Sequence, residues 1–232
     1  MVKTITEKDS EFICDISAPC FAILSKDELD LVKSSKTLIH FRKGDSLTKQ
    51  GAFASYILFI VNGLCRQYVE GYPDKSYNLK IIQPGEFTGL SSLFAGNIYN
   101  YSVAAITECS AFLVEKDAIT TVLEKNALFA MSFIKRYSQE NTILYSRLNS
   151  LIYKQINGRM AETLIYLDSV KRDYNDIYNH LSRRDIADFA STSTESAVKL
   201  LKNFEKDGVI RLKERDIEIL NTKMLYDISV RG

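Results

Sequence analysis

Residues able to hold a metal or do catalysis are scarce in this 232-residue chain, which has two histidines, His40 and His180, and four cysteines, Cys14, Cys20, Cys65 and Cys109. No C-x-x-C occurs and no histidine cluster stands near a thiol, so neither a zinc site nor a disulfide framework is indicated. Cys14 and Cys20 alone fall short of the four thiolates that an iron–sulfur cluster takes. His40 and His180 lie in different segments and offer haem no paired ligands, and Cys65 stands alone as a thiolate. A small β-roll metalloenzyme needs two or three converging histidines with a carboxylate; the strand-rich region has only His40. No nucleophile–base pair and no phosphate-cradling glycine motif is present either, so the chain reads as a non-enzyme with no predicted cofactor. Long apolar runs are missing too. The longest, Tyr56 to Val61, is strand-length, and Met1 to Ser10 mixes acids and bases around no apolar signal core. A cytoplasmic protein with no membrane partner is expected. The formal net charge of +1 supplies no global basic field. A DNA-binding module would therefore have to gather its Lys and Arg on one face.

Three periodicities divide what is there. From Phe41 to Val114 glycines separate short β-rich runs: Tyr56 to Val61, Leu64 to Val69, Tyr77 to Ile82, Tyr101 to Ile106 and Ser110 to Val114. Asn62-Gly63 predicts a tight type I′ hairpin, with positive φ at both positions, and Gly71-Tyr-Pro-Asp74 predicts a second hairpin. Strands at this spacing imply a barrel, sandwich or roll. From Ala127 to Tyr153 neither glycine nor proline interrupts, and Ala130, Ile134, Tyr137, Asn141, Leu144, Leu148 and Leu151 alternate by fours and threes. That spacing is an a/d seam and predicts a parallel homodimer, widened by Phe133, Tyr145 and Ile152, with Asn141 fixing register. The bland alternative is a helix packed only on its own domain. After Asn157-Gly158 the helical pattern resumes over Arg159 to Leu167, followed by a polar, turn-like stretch from Asp173 to Asn179.

Leu181-Ser-Arg-Arg-Asp-Ile-Ala-Asp-Phe-Ala190 precedes Ser191-Thr-Ser193 and Thr194-Glu-Ser-Ala-Val-Lys-Leu-Leu-Lys-Asn-Phe204. Ser182, with Asp185 three residues on, predicts a capping box, and Ser193 predicts a second N-cap. Ile186, Ala187 and Ala190 on one helix and Ala197, Val198, Leu201 and Phe204 on the next supply inner faces. Two short helices crossing at small residues across a short turn form a helix-turn-helix pattern. After Gly208, Val209 to Ile219 alternates apolar and charged residues, as a two-stranded wing does.

With these pieces in order, nearly the whole chain resembles the Crp/Fnr family of bacterial regulators. Phe41-Arg-Lys-Gly-Asp45, Gln50-Gly51, Ile60-Val-Asn-Gly63 and Gln83-Pro-Gly-Glu-Phe-Thr-Gly89 resemble the family's roll signatures. Asn157-Gly-Arg-Met-Ala-Glu-Thr-Leu164 resembles its hinge region, and Leu181 to Ile210 its helix-turn-helix. The resemblance implies an α+β architecture. An N-terminal double-stranded β-helix (a jelly-roll-like β-roll) would occupy 1–126 and a long central dimerisation helix 127–153. A winged helix-turn-helix would occupy 154–232. The implied partners are double-stranded DNA carrying an inverted repeat, a second copy of the chain, and RNA polymerase. The family's S-R-E-x-x-x-R-like recognition pattern stands here as Ser193-Thr194-Glu195-Ser196-Ala197-Val198-Lys199. Glu195 would accept from cytosine N4, and Lys199 would replace an arginine without its bidentate fork. Ser193, Ser196 and Lys202 are expected on phosphates, and Arg183 and Arg184 lie beside the groove. Arg211, Lys213 and Arg215 flank it on the wing. The plain alternative for Glu195 and Lys199 is an i,i+4 surface pair.

The effector pocket departs from the family. Where cyclic-nucleotide binders place a ribose-binding glutamate and a phosphate-binding arginine, this chain has Leu90 and Tyr101 (or Asn100), and Gly85 to Val103 contains no Arg or Lys. Leu144 and Tyr145 replace the central helix's hydroxyl residues. A phosphate needs a cation or several aligned N–H donors, so the expected effector is something other than cyclic AMP or cyclic GMP. Two readings stay open. Ser91, Ser92, Tyr99, Tyr101, Ser102 and Tyr145 line a cleft for a different small molecule, or the tyrosines fill the nucleotide's space. A rival to the whole reading is a dimeric ligand-binding signalling module that has lost DNA binding.

Overall fold

The computed structural model describes residues 21–71, 75–94 and 96–232; Cys14 and Cys20 lie outside them. The chain gathers into two compact units. One holds the described residues up to 67 together with 81–141, and the other holds 68–80 with 142–232. These cut the chain differently from a simple division at the ends of the central helix. Residues 68–80, in the midst of the strand-rich region, belong with the C-terminal half.

In the first unit helix α1 (Lys26–Ser34) starts at Ser25. There Glu28 Oε2 accepts from Ser25 N–H at 2.7 Å and Ser25 Oγ accepts from Glu28 N–H, a complete capping box. Strands β1 (Lys36–Phe41), β2 (Ser46–Thr48), β3 (Tyr56–Asn62), β4 (Cys65–Gly71), β5 (Lys75–Ile82), β6 (Phe87–Thr88), β7 (Ser102–Ala105) and β8 (Cys109–Glu115) follow along the chain, most of β4 and β5 being counted with the second unit. They form two four-stranded sheets, ordered β1-β8-β3-β6 and β2-β7-β4-β5. The apolar run read from sequence is β3. It pairs antiparallel with β6 and β8, and Ile57, Leu58, Phe59 and Ile60 are buried on both its faces. Helix α2 (Lys116–Lys125) and the start of α3 (Ala127–Tyr153) close the core. Phe129 and Phe133 pack beside Phe21, Phe59 and Phe87, with Phe87 and Phe133 ring centroids 5.4 Å apart.

The turn between β3 and β4 corrects one expectation. Only Gly63 has positive φ (+80°), so Asn62-Gly63 is not a type I′ turn. Glycine is required there for close approach instead, because a Cβ at Gly63 would sit 2.2 Å from the Glu108 carbonyl oxygen and 2.5 Å from Cys109 Cβ. The neighbouring backbone is tied down as well, with Leu64 N–H donating to Thr107 Oγ1 at 2.8 Å and Ile106 N–H to the Leu64 carbonyl at 2.9 Å.

In the second unit α4 (Ile156–Lys171), α5 (Ile177–His180), α6 (Arg183–Phe189), α7 (Thr194–Lys206), the ribbon β9 (Ile210–Lys213) and β10 (Asp216–Ile219), and α8 (Thr222–Arg231) surround a core that includes Met160, Leu164, Leu167, Ile186, Leu201 and Leu225. Gly158, read as a break from sequence, lies inside α4. A Cβ there would fall 2.4 Å from the Gly232 carbonyl oxygen, so this glycine lets the end of α8 approach α4 backbone to backbone. The segment 75–80 is bonded to this unit by side chains. Ser76 Oγ donates to Asp188 Oδ2 at 2.7 Å, Asn78 Nδ2 to the Asp185 carbonyl at 3.0 Å, and Arg147 Nε to the Leu79 carbonyl at 3.2 Å. Arg147 is buried, its guanidinium 4.8 Å from the Tyr166 ring centroid, which keeps the charge hydrogen-bonded and stacked rather than stranded.

Candidate nucleic-acid interface and sensor pocket

Helix α6 begins as its sequence requires. Ser182 Oγ accepts from Asp185 N–H at 3.1 Å, and Asp185 Oδ2 accepts from Ser182 N–H at 2.8 Å. Ala187, Ala190 and Ala197 are fully buried where α6 and α7 pack, small enough to let the two backbones come close. Phe189 joins them in the core, an inward position the sequence pattern did not single out. Val198, expected on the inner face, is only half-buried. The intervening turn places Ser191 at φ +50°, with Thr192 N–H donating to the Ala187 carbonyl at 3.0 Å.

Arg159 anchors that turn and was not recognised from sequence. Its guanidinium donates to the Ala190, Ser191 and Lys154 carbonyls at 2.9, 3.4 and 2.8 Å. The Ala190 and Ser191 carbonyls follow the end of α6 and the Lys154 carbonyl follows the end of α3, so the cation satisfies carbonyls that helix ends leave open and complements the dipole of α6. The only local hint was an arginine directly after Asn157-Gly158.

On this rigid support α7 starts at Ser193, whose Oγ accepts from Ser196 N–H at 3.1 Å and lies 3.0 Å from Ser196 Oγ. Thr194, Glu195, Lys199 and Lys202 are exposed, and no ion pair ties Glu195 to Lys199 among the described residues. The i,i+4 surface pair is therefore not formed. Arg184 is exposed and Arg183 half-buried at the start of α6. The ribbon is antiparallel, its register running from Ile210 opposite Ile219 to Lys213 opposite Asp216. Two of its cations are engaged: Arg211 and Lys213 both reach Glu218, at 3.4 and 2.7 Å, and they hold its carboxyl below the usual range, Lys213 most of all. Leu212 N–H donates to Glu205 Oε1 at 2.8 Å, fixing the ribbon to α7.

The residues expected to line an effector pocket fall in different units. Leu90, Ser91, Ser92, Tyr99, Tyr101 and Ser102 are all buried in the first, whereas Leu144 and Tyr145 are exposed on the part of α3 that belongs to the second. Leu90 is built into the phenylalanine core. Tyr101 Oη accepts from Gly89 N–H at 2.9 Å and from Thr88 Oγ1 at 3.3 Å. Burial, with a smaller contribution from Glu140, pushes that phenol's pKa well up and keeps it neutral. Tyr99 Oη donates to the Tyr56 carbonyl at 2.7 Å, Ser92 Oγ to the Gly89 carbonyl at 2.7 Å, and Ser102 Oγ accepts from Gln50 N–H at 2.9 Å. Of the six, Ser91 Oγ alone is buried with no partner. The Gly85–Val103 stretch contains no cation, yet the fold brings two close to it. Lys116 Nζ donates to the Ser92 carbonyl and, at 2.6 Å, to Asn97 Oδ1, and burial lowers its pKa. Arg136 Nη2 donates to the Gly85 carbonyl at 3.3 Å. Both come from outside the loop, from α2 and α3, so no pattern within the loop announces them.

The predicted dimer seam is open on α3. Ile134, Leu144 and Leu148 are 55, 41 and 52 % exposed, Tyr145 72 % and Ile152 61 %, with Asn141 and Leu151 half-buried among them. Phe133 instead faces its own roll. Among the described residues no helix is long and apolar enough to cross a membrane, and no cluster of three or more metal-ligating side chains occurs.

Comparison with known proteins agrees with this geometry. Residues 38–126 match the cyclic nucleotide-binding domain family, and residues 158–228 match the Crp-like helix-turn-helix domain. The chain is 25 % identical over 206 residues to the anaerobic regulatory protein of Bacillus subtilis, covering 87 % of each chain. It is 20 % identical to the cyclic AMP receptor protein of Thermus thermophilus, covering 91 % of this chain and 97 % of that one. Its fold is shared with a transcriptional regulator of the Crp/Fnr family from Eubacterium rectale, with a TM-score of 0.75 at 16 % identity over 91 % of this chain and 98 % of that one. FixK2 from Bradyrhizobium japonicum gives a TM-score of 0.73 at 20 % identity over 85 % and 98 %. With a roll domain, a long helix and a winged helix-turn-helix in the same order along the chain, the protein belongs to the Crp/Fnr family of transcription regulators.

Proposed function

We propose that the chain acts as a non-catalytic homodimer in the cytoplasm, reading an inverted repeat in double-stranded DNA, with RNA polymerase as its downstream partner. The observation that carries this reading is the surface of α7. Thr194 and Glu195 are exposed in the first turn of a helix whose other face is buried, and Lys199 and Lys202 are exposed further along it. A recognition helix enters the major groove by that end. Glu195 accepts from cytosine N4 and Lys199 donates to a guanine acceptor or a phosphate, while Lys202, Ser196 and Arg184 contact the backbone. Ser193 contributes through the cap it forms.

The roll does not use a cyclic nucleotide. The Gly89 N–H is already taken by the Tyr101 hydroxyl, and Leu90 is part of the core. The tyrosines fill the space, and the effector, where there is one, belongs to another chemical class. Signalling is allosteric. A change in the roll shifts the population of dimers whose two recognition helices match half-sites about one helical turn apart.

Selection of bound sequences from a random DNA pool by the purified chain, at stated salt, tests the reading. An inverted repeat is expected, with a C·G pair at the position facing Glu195. Recovery of no sequence at low salt, with or without a cell extract supplying effectors, rejects it in favour of a signalling module without DNA binding. Added cyclic AMP or cyclic GMP is expected to leave the melting temperature unchanged.

A further inference from the structure

We propose that Cys65 and Cys109 form a two-electron oxidation site, at which a peroxide closes a disulfide between the two sheets of the roll. The thiols come from different sheets, Cys65 opening β4 and Cys109 opening β8, yet their sulfurs stand 3.5 Å apart. Both are free thiols. The chain around them is locked in this arrangement. Gly63 lies against Cys109, and the Leu64 amide and carbonyl are bonded to Thr107 and Ile106 in the turn before β8. A disulfide sulfur–sulfur bond is about 2.0 Å long, so closure asks for a movement of about 1.5 Å, within reach of side-chain rotation at a site whose backbone is already paired.

The two thiols are not equivalent. Cys65 is fully buried and Cys109 retains 4 % exposure. The contact between them favours the Cys109 thiolate and, together with burial, pushes the Cys65 thiol up. Glu108, next to Cys109, is exposed, whereas half-buried Gly63 and buried Leu64 separate Cys65 from the exposed Asn62. Cys109 is thus the attacking sulfur. Its thiolate displaces hydroxide from hydrogen peroxide as the O–O bond breaks, giving a sulfenic acid, and the hydroxide leaves as water with a proton. The Cys65 sulfur then loses its proton and attacks the Cys109 sulfur. The S–O bond breaks and a second water departs. Two thiols are oxidised and one peroxide is reduced to two waters.

This inference concerns the roll alone and does not depend on the DNA-binding reading. The full chain, treated with hydrogen peroxide and then denatured and alkylated, is digested with trypsin. Cleavage at Lys and Arg separates Cys65 (residues 50–66), Cys109 (81–116) and the pair Cys14 and Cys20 (9–26) into three peptides. A cross-link joining 50–66 to 81–116, two hydrogens lighter than their sum and removed by dithiothreitol, is expected. A melting temperature raised by ~5 °C or more should accompany it, since the bond spans a 44-residue separation. Cys65→Ala should leave Cys109 trapped as a sulfenic acid by dimedone, whereas Cys109→Ala should leave Cys65 unlabelled. Full alkylation of both cysteines after denaturation of the wild-type chain, which had been folded during the peroxide treatment, overturns the proposal. So does a cross-link found only to residues 9–26. The wild-type arm decides the matter should either alanine variant fail to fold.

Discussion

Side chains that share one region of this molecule have been given opposite tasks, and single substitutions separate them. Glu195 and Lys202 both project from α7, unburied and with no ion pair between Glu195 and Lys199. Glu195→Ala should cost about 1–3 kcal/mol of discrimination at one base pair of each half-site and relax the selected sequence there. Lys202→Ala should weaken binding to all sequences alike and lower the salt slope by about one. Fluorescence anisotropy on matched and mismatched duplexes over a salt series measures both. An unchanged base preference in the glutamate variant would remove Glu195 from the readout. Inside the roll, Tyr101→Phe deletes one oxygen and leaves the buried Gly89 N–H and Thr88 hydroxyl without their acceptor. That should cost about 1–3 kcal/mol in urea unfolding; a variant as stable as the wild type would mean that water replaces the phenol, and hence that the pocket is wet. At this scale much was legible. Ser182, Asp185 and Ser193 behave as caps because capping is written in residues three apart. Arg159, Lys116 and Arg136 were not, because each finds its partners across a fold that no local spacing encodes.

Among the elements, β3, α3, the helix-turn-helix and the wing were readable because each carries its period along its own length. Helices α1, α2 and α8 went unread. They are nine or ten residues long, and their apolar faces acquire meaning only against the roll or against α4. Gly158 shows the limit of reading glycine as punctuation: it continues a helix and serves a backbone contact with Gly232. The seam of α3 was legible for the opposite reason, since a heptad pattern persists whether or not its partner is present. Phe133 sits beside that seam but is spent on the roll, while Leu148, 52 % exposed, joins Leu144, Tyr145 and Ile152 in an exposed apolar stripe of the kind that marks an interaction surface. Leu148→Asp should place two carboxylates in the dimer interface and shift the protein to monomer at micromolar concentration, with helix content unchanged. Light scattering with circular dichroism distinguishes this from simple unfolding. A dimer that survives the substitution would assign dimerisation to another surface. Asn141→Leu should instead tighten the dimer, because a polar seam residue gives up stability for register.

For the whole molecule, sequence predicted the order of parts but not which residues would cohere. Residues 68–80 read as roll strands, yet they cluster with the DNA-binding half through Ser76, Asn78 and Leu79, bonded to partners 112, 107 and 68 positions away. Such pairings leave no periodic trace, which is why the boundaries drawn from pattern and those drawn from compactness differ. The proposed function also depends at this scale on a relation that a single chain does not contain, the placement of two recognition helices on one duplex. Symmetry makes that relation testable. If the chain binds as a dimer with both copies of α7 in successive major grooves, the half-sites must lie on one face of the DNA, ~10 bp apart or a multiple of it. Inserting ~5 bp between the half-sites of the selected operator rotates one of them to the opposite face. Affinity should then fall to that of a duplex carrying a single half-site. The Leu148→Asp monomer should bind both operators equally weakly, since its two half-sites are no longer coupled. Retardation assays on the two operators with the two proteins complete the comparison. If wild-type protein tolerated the ~5 bp insertion without loss, the half-sites would be read by independent or flexibly tethered domains, and rigid alignment of the two helices could not be what the sensor roll controls.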